Sequence, residues 1–193
     1  MRAFLLALAT IGSLAAAAPS LAQTLKVNQD ISIDVTGFSG DPKILSDMVT
    51  KIESLNGGRV AAVTFDNVGG APGYSAIVLN GADVRFWRLD SPTSDAVEII
   101  GASVPSWMLN WKAQRRATAV KDAKVSLADA IRTAQAARKG APAVVAGIAR
   151  SASNPTSEVH AYMVGILKDG RLERVAVDSQ SGRPIENPEA LEW

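Results

Sequence analysis

The amino-acid sequence predicts an α+β fold of two tandem units, each a helix packed on a small antiparallel β-sheet. One order of features occurs twice: a helical pattern, a glycine stop, a strand, a polar loop, a strand that begins near tyrosine, a glycine turn and a strand that ends at aspartate. The spacing also agrees, because Tyr74 precedes Asp90 by 16 residues and Tyr162 precedes Asp178 by 16 residues. Shared order and equal spacing favour an internal duplication.

The first 22 residues have the pattern of a secretory signal peptide. Arg2 precedes an apolar stretch at residues 4–14, and Ser20 and Ala22 satisfy the small-x-small rule for cleavage. An uncleaved anchor is the alternative, but the apolar stretch is short and rich in alanine for a membrane span. We therefore expect cleavage after Ala22, a periplasmic or secreted mature chain and no stable membrane insertion after cleavage.

Charge and cysteine content exclude several classes of function. The chain has 20 basic and 19 acidic residues, and cleavage removes Arg2, so the mature chain is balanced. A balanced chain has no net field to attract nucleic acid or anionic lipid. Cysteine is absent, which excludes disulfides, thiolate chemistry, cysteine-containing metal sites and a lipoprotein anchor.

The second unit, residues 125–193, has the clearer pattern. Ser126 and Asp129 resemble a capping box, and apolar residues then recur at helical spacing until Gly140. Three short strands follow, and the sequence KDG joins the last two as a hairpin. Asp178 closes the last strand, and we expect its carboxylate to accept amide hydrogens of the following turn.

This second unit resembles the PepSY domain over residues 126–186. The helix "SLADAIRTAQ" matches the family's Leu-x-x-Ala helix, and the middle strand has an aromatic residue followed by alternating apolar residues. The last strand and its turn match the family pattern V-x-V-D with a later glycine, at Val175, Val177, Asp178 and Gly182. The resemblance implies a non-catalytic binding role outside the cytoplasm. PepSY domains occur in propeptides of secreted metallopeptidases, so it also implies inhibition of a peptidase, here in trans.

The first unit, residues 24–100, resembles a diverged copy of the second unit. Its predicted helix begins at Asp41-Pro42 and ends at Asn56-Gly57-Gly58, but it lacks the Leu-x-x-Ala sequence. A connector at residues 101–124 follows and is predicted to be helical, with Trp107 and Trp111 on one face. Either these indoles dock against the two units, or the connector lies on a membrane surface.

Strand alternation separates two faces of the predicted sheets. One face should contact the helices, and the opposite face has more apolar residues than a solvated sheet face usually carries. Either the two units or the connector cover this second face, or part of it receives a partner. The candidate partner-binding residues are Ile77, Leu79, Phe86, Met163, Trp107 and Trp111.

The sequence contains no recognisable catalytic or metal-binding motif. His160 is the single histidine, no glycine-rich phosphate loop leads from a strand into a helix, and no Gly-x-Ser-x-Gly elbow is present. We therefore predict a protein that is not an enzyme and needs no cofactor or metal. The predicted function is a binding module for a protein or peptide partner in the cell envelope. The alternatives are an inhibitor of an envelope or secreted peptidase, and a small-ligand carrier that uses the space between two sheets.

Overall fold

The computed structural model describes most of the two predicted units. The described residues are 24–26, 32–68, 71–80, 83–91, 94–95, 97–98, 119–151, 159–186, 188 and 191–193. The predicted signal peptide, Trp107 and Trp111 lie outside them.

The described residues form short helices and an extensive set of strands. The helices are α1 (Ile44–Asn56) and α2 (Leu127–Ala137), and residues 119–122 form a helical turn. The strands are β1 (Thr24–Lys26), β2 (Ser32–Asp34), β3 (Arg59–Val68), β4 (Ala71–Asn80), β5 (Asp83–Leu89), β6 (Val97–Glu98), β7 (Ala143–Ile148), β8 (Arg150–Ser151), β9 (Ala161–Lys168), β10 (Arg171–Asp178), β11 (Pro184–Ile185) and β12 (Leu191–Glu192).

The prediction of two tandem units, each with its own small sheet, is wrong. The strands of both halves form one antiparallel sheet in the order β11-β10-β9-β7-β3-β4-β5-β6. At its centre β3 of the first half pairs with β7 of the second half, with Val63 opposite Ala146. The buried hydrophobic residues of both halves also form one core. Two separate sheets would each leave an open strand edge at this point, and the β3–β7 pairing removes both edges.

Several local predictions are confirmed. Helix α1 ends at Asn56, where Gly57 takes a left-handed conformation with φ 62°. Helix α2 begins after Ser126, whose hydroxyl oxygen accepts the amide hydrogen of Asp129 at 3.0 Å. The same hydroxyl donates to the Asp129 carboxylate at 2.7 Å. Such caps form between residues that are close in sequence, so local patterns are enough to predict them.

Both faces of the central strands of the sheet are buried. Cross-strand pairing places Tyr162, Val164 and Val177 on one face, and the Tyr162 hydroxyl donates to the Val125 carbonyl oxygen just before α2. That face is therefore the one that contacts the helices, as predicted. The opposite face is also covered, because side chains on it such as Met163 are fully buried. The continuous runs of buried residues in β4, β7 and β9 are typical of strands covered on both sides.

The segment before α2 connects the two halves of the chain. Arg59, at the start of β3, donates from Nη1 to the Ala123 carbonyl oxygen at 2.9 Å and from Nη2 to the Val125 carbonyl oxygen at 3.2 Å. Tyr162, in β9, donates to the same Val125 oxygen at 3.1 Å. Residues 119–125 are therefore held by side chains from both halves. We call this set of hydrogen bonds the Arg59 clasp.

The turn after β10 is built on the Asp178 carboxylate, as predicted. Asp178 Oδ1 accepts the amide hydrogens of Gln180 at 3.0 Å and Ser181 at 2.6 Å, and the Ser181 hydroxyl at 2.9 Å. Gly182 follows with φ 73°, where its missing Cβ avoids strain. The amide hydrogen of Ser181, followed by its hydroxyl and the amide hydrogen of Gln180, lowers the pKa of Asp178 despite an opposing contribution from burial.

We expect Asp178→Ala to lower the free energy of unfolding by about 1 kcal/mol at pH 7, because the turn loses its acceptor. A lowered carboxylate pKa gives stability above the ordinary aspartate value of 3.8 and loses it as the pH falls through the lowered value. The difference between the wild type and the variant should therefore shrink below pH 4. Urea unfolding at pH 7 and at pH 3 measures both effects. Asp178→Asn keeps an acceptor oxygen, so it should lose less stability, and an Asn variant as unstable as the Ala variant would contradict the hydrogen-bond explanation.

Candidate partner-binding surface

Three of the predicted partner-binding residues lie in the core. Ile77 and Met163 are 0% exposed and Leu79 is 6% exposed. Their strand faces were predicted correctly, but alternation gives the direction of a side chain and not whether another segment covers it. Of the four candidates that the structure describes, Phe86 stays partly at the surface.

Phe86 belongs to a row of side chains along β5. Cross-strand pairs share a face, and β4 places Leu79 opposite Val84, Ile77 opposite Phe86, and Ser75 opposite Arg88. Val84, Phe86 and Arg88 therefore point to the sheet face opposite the helices. We call these three residues the β5 stripe. Val84 is 38% exposed, and Phe86 is partly buried against the core.

A charged cluster fixes one end of the β5 stripe. Arg88 donates from Nη1 to Asp66 Oδ1, and the Ser75 hydroxyl donates to Asp66 Oδ2. Arg88 Nη2 also donates to the Ala71 carbonyl oxygen at 2.8 Å. The guanidinium lies over Gly73, where a Cβ atom would come within 2.6 Å of Nη2. The apolar part of the stripe thus ends at a paired, well-fixed arginine.

Sequence reasoning missed this cluster because its members are on three strands. Asp66 is in β3 and Arg88 is in β5, and β4 lies between them. A glycine opposite an acidic residue on the neighbouring strand was the available signal, since Gly73 pairs with Asp66. This signal can be recognised only when the pairing register of β3 and β4 is known.

Among the described residues, no group of three His, Cys, Asp or Glu side chains could hold a metal ion. Burial raises the pKa of Glu53, of Tyr74 and of Tyr162, the last to about 12. Glu53 accepts the amide hydrogen of Val60 at 2.9 Å and Tyr162 belongs to the Arg59 clasp, so these two groups have structural partners.

No family model matches this chain, and no curated protein matches it. A solved structure of a "putative lipoprotein" from Clostridium difficile 630 is similar with a TM-score of 0.44 and 16% sequence identity, covering 80% of this chain and 95% of that chain. The resemblance to PepSY domains therefore stays a prediction. No helix of the described residues is long and apolar enough to cross a membrane.

Proposed function

We propose that this protein is an exported, non-catalytic module that binds a protein or peptide partner in the cell envelope through the β5 stripe. The observation that supports the proposal is the exposure of Val84 beside the partly exposed Phe86 on one sheet face. Among the described side chains, Leu55 and Val84 are the exposed large hydrophobic ones. Leu55 lies on α1, whereas Val84 has an aromatic neighbour on the same strand face.

The size of the stripe suits a partner of modest affinity. Full burial of a valine or phenylalanine side chain contributes about 1.5–3 kcal/mol, and both residues are already partly covered. Association also costs translational and side-chain entropy. The fixed Arg88–Asp66 pair adds a polar border that a partner can align with at low reorganisation cost. We therefore expect a reversible complex of micromolar rather than nanomolar affinity.

The small-ligand carrier alternative relied on a space between the separate sheets of two units, whereas the long strands of both halves form one eight-stranded sheet. Inhibition of a peptidase is a special case of partner binding. It is tested by adding the mature protein to secreted peptidases of its source, where unchanged hydrolysis rates at saturating protein would exclude it.

The proposal predicts a selective loss of binding in Val84→Lys. A lysine at position 84 places a charge within the apolar stripe, and its exposure makes the substitution compatible with the fold. We expect at least about tenfold weaker partner binding, with less than about twofold change for Leu55→Lys. A photo-reactive residue at position 84 or 55 of the mature protein, exposed to envelope extract, identifies the partner, and titration of that partner measures the affinities.

Leu55→Lys is the matched control because it removes an exposed large hydrophobic side chain from α1. Phe86→Asp is less informative, since Phe86 also packs against the core. Equal cross-linking from positions 84 and 55, or equal losses of affinity in the two lysine variants, would contradict a role for the stripe.

A further inference from the structure

The other edge of the sheet, at β9 and β10, carries a charged surface, unlike the apolar β5 stripe. Strands β9 and β10 are joined by a tight turn in which Asp169 and Gly170 have φ 50° and 70°. Five basic and two acidic residues lie in this hairpin end and the adjoining end of α2. The basic residues are Arg138, Lys139, Lys168, Arg171 and Arg174, and the acidic ones are Asp169 and Glu173.

Internal ion pairs satisfy part of this charge. The Nε atom of Arg138 lies 2.7 Å from Glu173 Oε2, and the Nζ atom of Lys168 lies 3.8 Å from Glu173 Oε1. The side chains of Arg171 and Arg174 are exposed and form no ion pair or hydrogen bond within the described part of the chain. Two guanidinium groups on one short strand segment thus remain available to an outside carboxylate.

Among the described residues, the same segment is a strand edge without a pairing partner. On its outer side β10 pairs with β11 at Ala176 and Val177, and no described strand pairs with residues 171–175 on that side. An edge of this kind presents backbone donors and acceptors to an extended chain. The positive charges of Arg171 and Arg174 disfavour pairing with a basic strand and favour pairing with an acidic one. We call residues 171–175 with these two arginines the basic edge.

We propose that the basic edge binds an extended acidic peptide segment by strand addition. Cross-strand partners lie on the same face, and residues three apart in a strand lie on opposite faces. Arg171 and Arg174 are three apart, so two carboxylates spaced three residues apart in the peptide would each face one arginine. The geometry therefore selects the sequence pattern Glu-x-x-Glu and disfavours Glu-x-Glu, in which both carboxylates share one face.

This inference is independent of the β5 stripe, because β5 and β10 lie near opposite edges of the sheet. The experiment measures binding of fluorescent peptides to the full mature protein by anisotropy. One peptide has glutamates three residues apart, and a second has the same composition with glutamates two residues apart. We expect the first to bind at least about tenfold more tightly, with an affinity that falls as salt rises from low to high concentration.

Variants locate the binding site. Arg171→Glu with Arg174→Glu should abolish binding of the acidic peptide and allow binding of a peptide in which lysines replace the glutamates. Arg183→Glu is the control, because Arg183 is exposed but lies beyond the open edge, next to β11. It should change the affinity by less than about twofold. Hydrogen exchange should show protection of amides in residues 171–175 when the acidic peptide is bound.

The proposal fails if the two peptides bind equally, if Arg183→Glu weakens binding as much as the double variant, or if residues 171–175 gain no protection. Binding to vesicles that contain anionic phospholipid, without binding to either peptide, would show a lipid-binding surface and also overturn it.

Discussion

Ile77→Ala should lower the free energy of unfolding by about 2–4 kcal/mol, a large fraction of the stability of a domain of this size. Ile77 is 0% exposed at the middle of β4, opposite Phe86 on β5 and Ala62 on β3. Strands on both sides hold these neighbours in place, so the cavity left by the substitution cannot collapse fully. Urea unfolding of the mature protein measures the loss.

Val84→Ala is the matched control, since Val84 lies on the same sheet face but is 38% exposed. It should cost less than about 1 kcal/mol, because much of the valine side chain already contacts water. The comparison tests whether the sheet face opposite the helices belongs to the hydrophobic core at Ile77. Similar losses for both variants, or a loss below about 1 kcal/mol for Ile77→Ala, would show that this face is open.

Local features of this protein could be predicted from the sequence, whereas the joining of its halves could not. The cap at Ser126 and the turn at Asp178 depend on residues within four positions, so their chemistry is visible in the sequence. The pairing of β3 with β7 joins residues more than 80 positions apart, and it decides between one sheet and two. Alternation cannot settle that choice, because both arrangements use the same strand faces.

One signal for the central pairing was present in the small residues of β3 and β7. A Cβ atom on Gly147 would lie 3.1 Å from the Cβ atom of Ala62, its cross-strand partner. Residues without bulk are therefore needed where the two halves meet. A glycine within an apolar strand often marks such a close approach. It does not identify the approaching strand, so the partner had to come from the structure.

The β5 stripe also could be predicted only in part from the sequence. The sequence placed Phe86 and Ile77 on one face, and the observed register agrees. It could not predict that Ile77 is covered while the neighbouring strand remains partly exposed, because coverage depends on distant segments. No sequence pattern distinguished Arg171 and Arg174 of β10, which form no ion pair within the described residues. Their importance comes from the open edge, which is a property of the assembled sheet.

The second large effect is expected at the Arg59 clasp. Arg59→Met should lower the free energy of unfolding by about 2–3 kcal/mol, because two carbonyl oxygens lose charged hydrogen-bond donors while the apolar stem is kept. Tyr162→Phe removes one hydroxyl donor to the Val125 oxygen and should cost about 1 kcal/mol. Chemical unfolding of both variants at pH 7 gives the comparison.

The two variants also predict a coupling and a pH dependence. Arg59 and Tyr162 donate to the same oxygen from different halves of the chain. Each single variant leaves that oxygen one donor and the double variant leaves it none, so the double variant should lose more than the two single losses combined. Burial raises the pKa of Tyr162 from 10.0 to about 12, so the unfolded chain ionises first and stability falls as the pH rises above 10. Tyr162→Phe should make this alkaline decline less steep. Additive losses, together with an unchanged decline, would show that residues 119–125 are held mainly by apolar packing, and that the clasp does not couple the two halves.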